Sequence, residues 1–176
     1  MSKPKILCIV AESGAGKTLV AEYIQDTYGI KMIESWTDRP KRFENEPGHS
    51  WATKEQFDQF KEEDMIAFTK FGDYRYCCLK QDVKENNTYV IDEVGLRYLK
   101  KHFCGMYDIT SVRIIRNQDL REKQIAKERV ARDKSMFTMP KRSFDYVIIN
   151  NSDIAALKYQ VDVLVKEVFY GITEVF

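Results

Sequence analysis

This chain has few residues able to hold a metal or close a disulfide. Its two histidines are His49 and His102, and its four cysteines are Cys8, Cys77, Cys78 and Cys104. None of these fall at paired ligand spacings, so the sequence carries no zinc motif. The neighbours Cys77 and Cys78 cannot easily bridge each other, and reduced thiols in a cytoplasmic protein are the plain reading. No apolar run approaches the length of a bilayer crossing, so no membrane is expected as a partner. The run at residues 6–10 is strand-sized and leads into a glycine-rich loop rather than a small-residue cleavage site, which makes it a poor signal peptide. Charge of one sign is lacking too. Lys and Arg number 28 against 27 Asp and Glu, a net charge of +1. That balance gives no bulk pull toward nucleic acid or anionic lipid, so any basic site must be local. Internal repeats, low-complexity tracts and linkers are absent.

What is present is an ordinary globular mixture, 44% hydrophobic and 31% charged over 176 residues, which suits one domain spanning 1–176. Residues 5–10 form a continuous apolar run, the pattern of a strand buried on both faces. Helical spacing follows over 17–28, then a short strand at 31–34. Thr53 and Gln56 form a capping pair that opens a helix over 53–63. Residues 65–71 and 73–78 are strand-like and separated by Gly72, as in a hairpin. A strand at 87–91, a helix at 95–103, a strand at 111–115 and a long charged helix at 119–134 come next. The pattern closes with a strand at 146–149 and an amphipathic helix over 152–169, capped by Ser152. Alternating strands and helices predict an α/β fold with a parallel sheet flanked by helices. The stretch 34–81 breaks the alternation and predicts an inserted small α+β lobe. The core is then 1–33 and 82–176, within which the family resemblance given below implies a short lid over 116–142.

Between the first strand and the first helix lies Ala11-Glu12-Ser13-Gly14-Ala15-Gly16-Lys17-Thr18, which fits the P-loop pattern at every place but the first glycine. Gly14 and Gly16 let successive backbone N–H groups turn toward one anion. The following helix presents its N-terminus to the same phosphate. Lys17 reaches the β- and γ-phosphates, and the Thr18 hydroxyl ligates Mg²⁺. Ala11 is acceptable only with a negative φ. The loop implies a nucleoside triphosphate with Mg²⁺, and does not itself separate a kinase from an NTPase.

Ser35-Trp36-Thr37-Asp38-Arg39-Pro40-Lys41-Arg42 concentrates cations where Pro40 forbids a regular helix. Arg39 and Arg42 are fork donors suited to a monophosphate dianion, and Ser35 adds a hydroxyl. A solvated basic loop, or one touching RNA phosphates, is the alternative. Asp92 ends an apolar strand, where it can hold Mg²⁺ or its water shell or simply cap the next helix. Arg129 and Arg132 share a helix face, which is either solvated or turned toward a phosphoryl group.

These motifs together resemble the guanylate kinase family over nearly the whole chain. Ser35, Thr37, Arg39 and Arg42 stand in register with its Ser-x-Thr-Thr-Arg-x-x-Arg segment. Gly48 and Phe57 continue the pattern. Trp51 stands where the family has Tyr, Asp38 where it has a second Thr, and Asn45 where it has Glu. The resemblance implies a P-loop fold and transfer of the γ-phosphoryl of ATP to a nucleoside monophosphate, GMP or dGMP favoured. It implies small-molecule nucleotides as partners and no nucleic acid. It also implies that Ser35, Arg39, Arg42 and Trp51 hold the acceptor, that Tyr76, Cys78 and Asp92 face its base, and that Lys70 replaces a guanine-contacting Glu. Lys17, Arg39, Arg129 and Arg132 would stabilise the phosphoryl group in flight, and Asn150 would lie near the adenine, beside the loop residues Glu12 to Thr18. The family's lid is longer than the stretch available here, which leaves the parts of Arg116 and Arg121 open. A non-catalytic module of guanylate kinase type and a polynucleotide-end kinase are the competing functions; oligomeric state is not readable.

Overall fold

A computed structural model of the chain describes residues 2–46, 48–123, 125, 133 and 138–173. Nine strands and five helices are described: β1 Lys5–Ala11, α1 Lys17–Tyr28, β2 Lys31–Ile33, β3 Ser35–Thr37, β4 His49–Trp51, α2 Lys54–Asp58, β5 Met65–Phe71, β6 Tyr74–Leu79, β7 Asn86–Val90, α3 Glu93–Phe103, β8 Asp108–Ile115, α4 Gln118–Glu122, β9 Tyr146–Ile149 and α5 Ile154–Tyr170. Five strands form one sheet in the order β2-β7-β1-β8-β9, parallel at every pairing. The architecture is therefore α/β, a parallel sheet flanked by helices. The other four form a mixed sheet in the order β4-β3-β6-β5, built wholly between β2 and β7 in sequence.

β1 is central, and its alternation divides the core. Leu7, Ile9 and Ala11 face a cluster with Val20, Ala21 and Ile24 of α1 and Leu157, Val161 and Leu164 of α5. Ile6, Cys8 and Val10 face Leu96 and Leu99 of α3, together with Ile66, Ala67 and Cys78 of the small sheet. Strand residues one apart point to opposite faces, so one strand glues both layers. The small sheet is thereby seated against α3, beside the C-terminal end of β1. A third cluster, Phe57, Cys77 and Leu79, packs the far side of the small sheet against α2. All four cysteines are free thiols, with only Cys104 exposed.

Local signals were uneven guides. Thr53 and Gln56 do form a capping box, but α2 ends at Asp58 rather than near 63. Phe57 is 1% exposed, and the chain must turn there to enter β5. The cap of α5 is Asp153, whose Oδ1 accepts from the Ala156 amide at 2.8 Å, not Ser152. β8 begins at Asp108 because it pairs with β1 from Lys5 onward, three residues earlier than its apolar run indicates. Strands β3 and β4 are three residues each, too short to show a period. Of the expected helix over 119–134, only α4 and the residues Lys123, Ile125 and Asp133 fall among the described positions.

Glu93, in the first turn of α3, is 1% exposed. Its Oε1 accepts from Arg113 Nη1 at 2.9 Å, and its Oε2 accepts from the amides of Thr138 and Met139, both at 2.8 Å. One carboxylate thus ties β8 and the 138–139 segment to α3. Removing one partner of a buried pair strands the other. We expect Glu93→Ala to lose about 3–5 kcal/mol in urea unfolding, with Glu93→Gln losing less because its amide oxygen still accepts.

Candidate active site

The phosphate loop emerges from the end of β1 with the backbone its glycines require. Gly14 has φ 74° and Gly16 φ 103°, left-handed values that side chains with a Cβ avoid. A Cβ on Gly16 would also lie 2.8 Å from Asn150 Nδ2. Ala11 is the last residue of β1, and no described residue other than glycine has a positive φ, so the missing first glycine costs nothing. Lys17 Nζ donates back to the carbonyls of Ala11 at 2.7 Å and Glu12 at 3.1 Å, folding its side chain over the loop. Thr18 follows, exposed in the first turn of α1.

The loop is braced from two sides. Asn150 is 7% exposed and donates Nδ2 to the Ala15 carbonyl at 3.0 Å. The sequence placed it near an adenine, but its amide is committed to the loop backbone. On the other side Arg121, 5% exposed, pairs with Glu12 Oε2 at 3.0 Å and donates to the Ser13 carbonyl at 3.3 Å. Asp133 Oδ2 accepts from the Ser13 amide at 2.6 Å and its Oδ1 from the Ser13 hydroxyl at 3.2 Å. Neither Asp133 nor this use of Arg121 was foreseen; charge patterning on a helix says nothing about which charge turns inward. Arg116 Nη1 lies 3.4 Å from the Gly14 carbonyl. Arg129 and Arg132 lie outside the described residues.

A cleft runs from this loop across to the small sheet. It is lined by Ala11, Ser13, Lys17 and Asp133 at one end, by Ser35, Arg42, His49 and Tyr76 in the middle, and by Ala67, Thr69, Phe71, Ile91, Asp92 and Gly95 beyond. Ser35 Oγ and Tyr89 Oη are hydrogen-bonded at 2.9 Å, which fixes the hydroxyl at the cleft wall. Arg42 is exposed and lies 3.5 Å from Glu46.

Four expectations need correcting. Arg39 is 8% exposed and is gripped from the protein side. Its Nη1 and Nη2 donate to Glu46 at 3.1 and 2.8 Å, and Nη1 also to the Pro40 carbonyl at 2.8 Å. Glu46, one residue past Asn45, was missed because the motif spacing points to 45. Cys78 is 0% exposed, with its Sγ 3.6 Å from the Leu79 carbonyl; it fills the core instead of facing a base. Lys70 is exposed, and the cleft is lined by its neighbours Thr69 and Phe71, since strand parity sends it to the other face. Trp51 is not part of the cleft lining; its ring sits under Lys41 Nζ at 4.7 Å.

The remaining departures from the motif have partners. Asp38 accepts from the Arg75 amide and Nε, both at 2.7 Å, and Arg75 also pairs with Asp58. Burial opposes the Asp38 charge, but these donors outweigh it and hold its carboxyl below the usual range. Asp92 Oδ1 accepts from the Gly95 amide at 2.7 Å, so it is the N-cap of α3 as well as a wall of the cleft. Among the described residues no three His, Cys, Asp or Glu side chains cluster as a metal cage. No helix there is long and apolar enough to cross a membrane.

Comparison with known proteins agrees on the fold. No family model matches the sequence, and no curated protein matches it either. Among solved structures, guanylate kinase from Anaplasma phagocytophilum superposes with a TM-score of 0.67 at 18% identity, covering 96% of this chain and 88% of that one. An uncharacterized protein from Eubacterium ventriosum ATCC 27560 gives a TM-score of 0.49 at 15% identity, over 94% of this chain and 98% of that one. The chain has a guanylate kinase-like fold, an α/β arrangement of the P-loop NTPase type.

Glu46 gives a pH signature. Arg39's guanidinium, helped by the Arg42 amide, holds its carboxyl down at about 2 against an ordinary 4.5, despite burial. A depressed carboxyl contributes stability that is present above its unfolded value and is lost as pH falls toward the folded one. Glu46→Gln should therefore melt below wild type at pH 7, and the gap should close between pH 4.5 and 2. Thermal melts of both proteins across that range check it.

Proposed function

We propose that the protein is a cytoplasmic, ATP-dependent nucleoside monophosphate kinase, with GMP or dGMP the favoured acceptor. The observation that carries this reading is one continuous cleft with phosphate-binding chemistry at two places. Lys17 and Ser13 of the P-loop line one end, and Ser35, Arg42 and Tyr76 line the middle. A donor and an acceptor phosphate bound there would meet in line.

In the proposed reaction an acceptor phosphate oxygen attacks the γ-phosphorus, the bond to the β–γ bridging oxygen breaks, and ADP leaves. No protein nucleophile is needed, so the enzyme's work is positioning and charge stabilisation. Lys17 would swing from the Ala11 and Glu12 carbonyls onto the β- and γ-oxygens. Arg42 would grip the acceptor phosphate, and Arg39, fixed by Glu46, would add positive potential from behind. Arg129 and Arg132 remain proposed as the closing cations.

Mg²⁺ bound with the nucleotide would supply charge neutralisation as negative charge shifts to the leaving group. The Thr18 hydroxyl fits that ion, being a hard oxygen donor next to Lys17, and Asp92 stands in the same cleft. A nucleotide-borne Mg²⁺ needs only one or two protein ligands. Asp92 also remains the carboxylate proposed to accept from guanine. Lys70 and Cys78 are dropped from the base site, with Thr69 in their place.

The first test is ADP release across ribo- and deoxyribonucleoside monophosphates. Turnover that depends on one monophosphate supports the reading. ATP consumption indifferent to every acceptor rejects it, and absence of ATP binding points to a non-catalytic module. Lys17→Ala should lose about 10²–10³-fold in kcat with its melting temperature kept. Arg42→Ala should raise acceptor KM about tenfold or more, from the loss of a charged hydrogen bond, and leave ATP KM within twofold. Equal effects on the two substrates would place Arg42 on the ATP side.

A further inference from the structure

Three buried side-chain nitrogens around β4 have no hydrogen-bond partner among the described residues: Arg39 Nε, His49 Nδ1 and Trp51 Nε1. Buried polar groups are normally paired, so three such nitrogens in one neighbourhood point to an acceptor-rich occupant. The surroundings agree. Arg39, Lys41 and Arg42 supply cations, while the carboxylate among them, Glu46, is engaged by Arg39 and by the Arg42 amide. Of the three residues, His49 alone lines the cleft.

The imidazole of His49 is held in place. Its ring lies 5.8 Å from Trp51, nearly edge-on at 83°, and 5.8 Å from Tyr76 at 56°. Strand β3 presents the Ser35 backbone to it, and the loop after β3 presents Arg39, Arg42 and Glu46. Strand β6 contributes Tyr76, and β4 itself contributes Trp51. The residue register Ser35↔His49 sets it beside the hydroxyl assigned to the acceptor phosphate.

We propose that His49 is a ligand of the acceptor's phosphate that becomes charged as the dianion enters, so that acceptor binding takes up a proton. The inference rests on the kinase reading of this cleft. Burial, and then the Arg39 guanidinium, push His49 below its ordinary value, with Arg42 adding to this and the Ser35 carbonyl and Glu46 opposing it. The free imidazole is therefore neutral at pH 7. A phosphate dianion cancels the guanidinium field and offers the ring N–H groups an acceptor. An opposite charge within about 4–6 Å shifts a titration by roughly 1–3 pH units, here upward. Binding between the two midpoints then draws a fraction of a proton from solvent.

The chain's two histidines make the test direct. The ring Cε1–H resonances of His49 and exposed His102 are followed by NMR from pH 5 to 8.5, with His102→Gln assigning them. Spectra are taken of the free protein, with Mg·ATP, and with GMP, AMP, CMP, UMP and dTMP in turn. Below a pH of about 6 the nucleotide phosphate itself protonates, so the nucleotide-bound midpoints are read above that, while the free protein is followed over the whole range. The expected result is a low His49 midpoint in the free protein that rises by about one pH unit or more with a binding monophosphate, with His102 unmoved. His49→Gln should raise acceptor KM about tenfold and flatten its pH dependence, at an unchanged ATP KM. Binding of a monophosphate with no movement of the His49 midpoint overturns the inference and leaves the kinase reading standing. An equal shift with Mg·ATP alone also overturns it. Binding of none of the five monophosphates overturns both.

Discussion

The constraint on which this molecule depends is that the backbone after β1 must aim several N–H groups at one point. Such a loop has few hydrogen bonds of its own and would otherwise collapse. Here it is held by borrowed groups. Lys17 returns to the Ala11 and Glu12 carbonyls, Asn150 holds Ala15, and Arg121 and Asp133 hold Glu12 and Ser13. The contacts come from the start of α1, from the residue after β9, from α4 and from Asp133. The parallel sheet brings the strand ends together at one edge, which is where open α/β sheets bind ligands. The fold is therefore the means by which a loop with few hydrogen bonds of its own is kept in one shape.

The proposed acceptor end meets a different problem, that of storing positive charge next to a cavity without scattering it. Arg39 is buried and locked by Glu46, while Arg42 is exposed and only loosely tied to the same carboxylate. One guanidinium is fixed and the other can move. A carboxylate beside two arginines leaves a net positive charge, and it orders them at little cost in side-chain entropy when an anion arrives. Asp38 and Arg75 do for the β3–β6 junction what Glu46 does for the loop. The departure from a threonine at 38 is thus compensated within the same sheet.

How much of this could be read from residues alone depended on what dictates each feature. The phosphate loop was legible because its glycines answer to φ angles that other residues avoid, and its flanking strand and helix carry strong periods. The parallel sheet followed from the alternation of those periods. Strands β3 and β4 were not legible, since three residues show no period and their pairing is set by partners far along the chain. Glu46, Asp133 and the inward turn of Arg121 were missed for a related reason. A charged residue looks the same in sequence whether it is solvated or buried against an ion, and burial is decided by tertiary contact.

The base end of the cleft shows the sharpest limit of pattern matching. On a strand, an error of one position moves a side chain to the opposite face. Thr69 pairs with Tyr76, and Lys70 with Arg75; the first pair belongs to the cleft and the second to the outer surface. Aligning a motif by spacing put Lys70 inside, where a cation would have argued against guanine. With parity corrected, that argument disappears. Cys78 shares the parity of Tyr76 but lies deeper, packed with Cys8, Ile66 and Tyr89, so it shapes the floor without touching a ligand. What lines this part of the cleft is then a hydroxyl at Thr69, aromatic and aliphatic surface at Phe71 and Ile91, and the carboxylate of Asp92. Hydroxyls both donate and accept, so Thr69 discriminates weakly. In the proposed kinase, discrimination would fall to Asp92, whose position is set by its bond to the Gly95 amide at the start of α3. On the kinase reading, phosphoryl transfer would then rest on the loop after β1 and the choice of base on Asp92 at the start of α3, so that a substitution at one need not disturb the other.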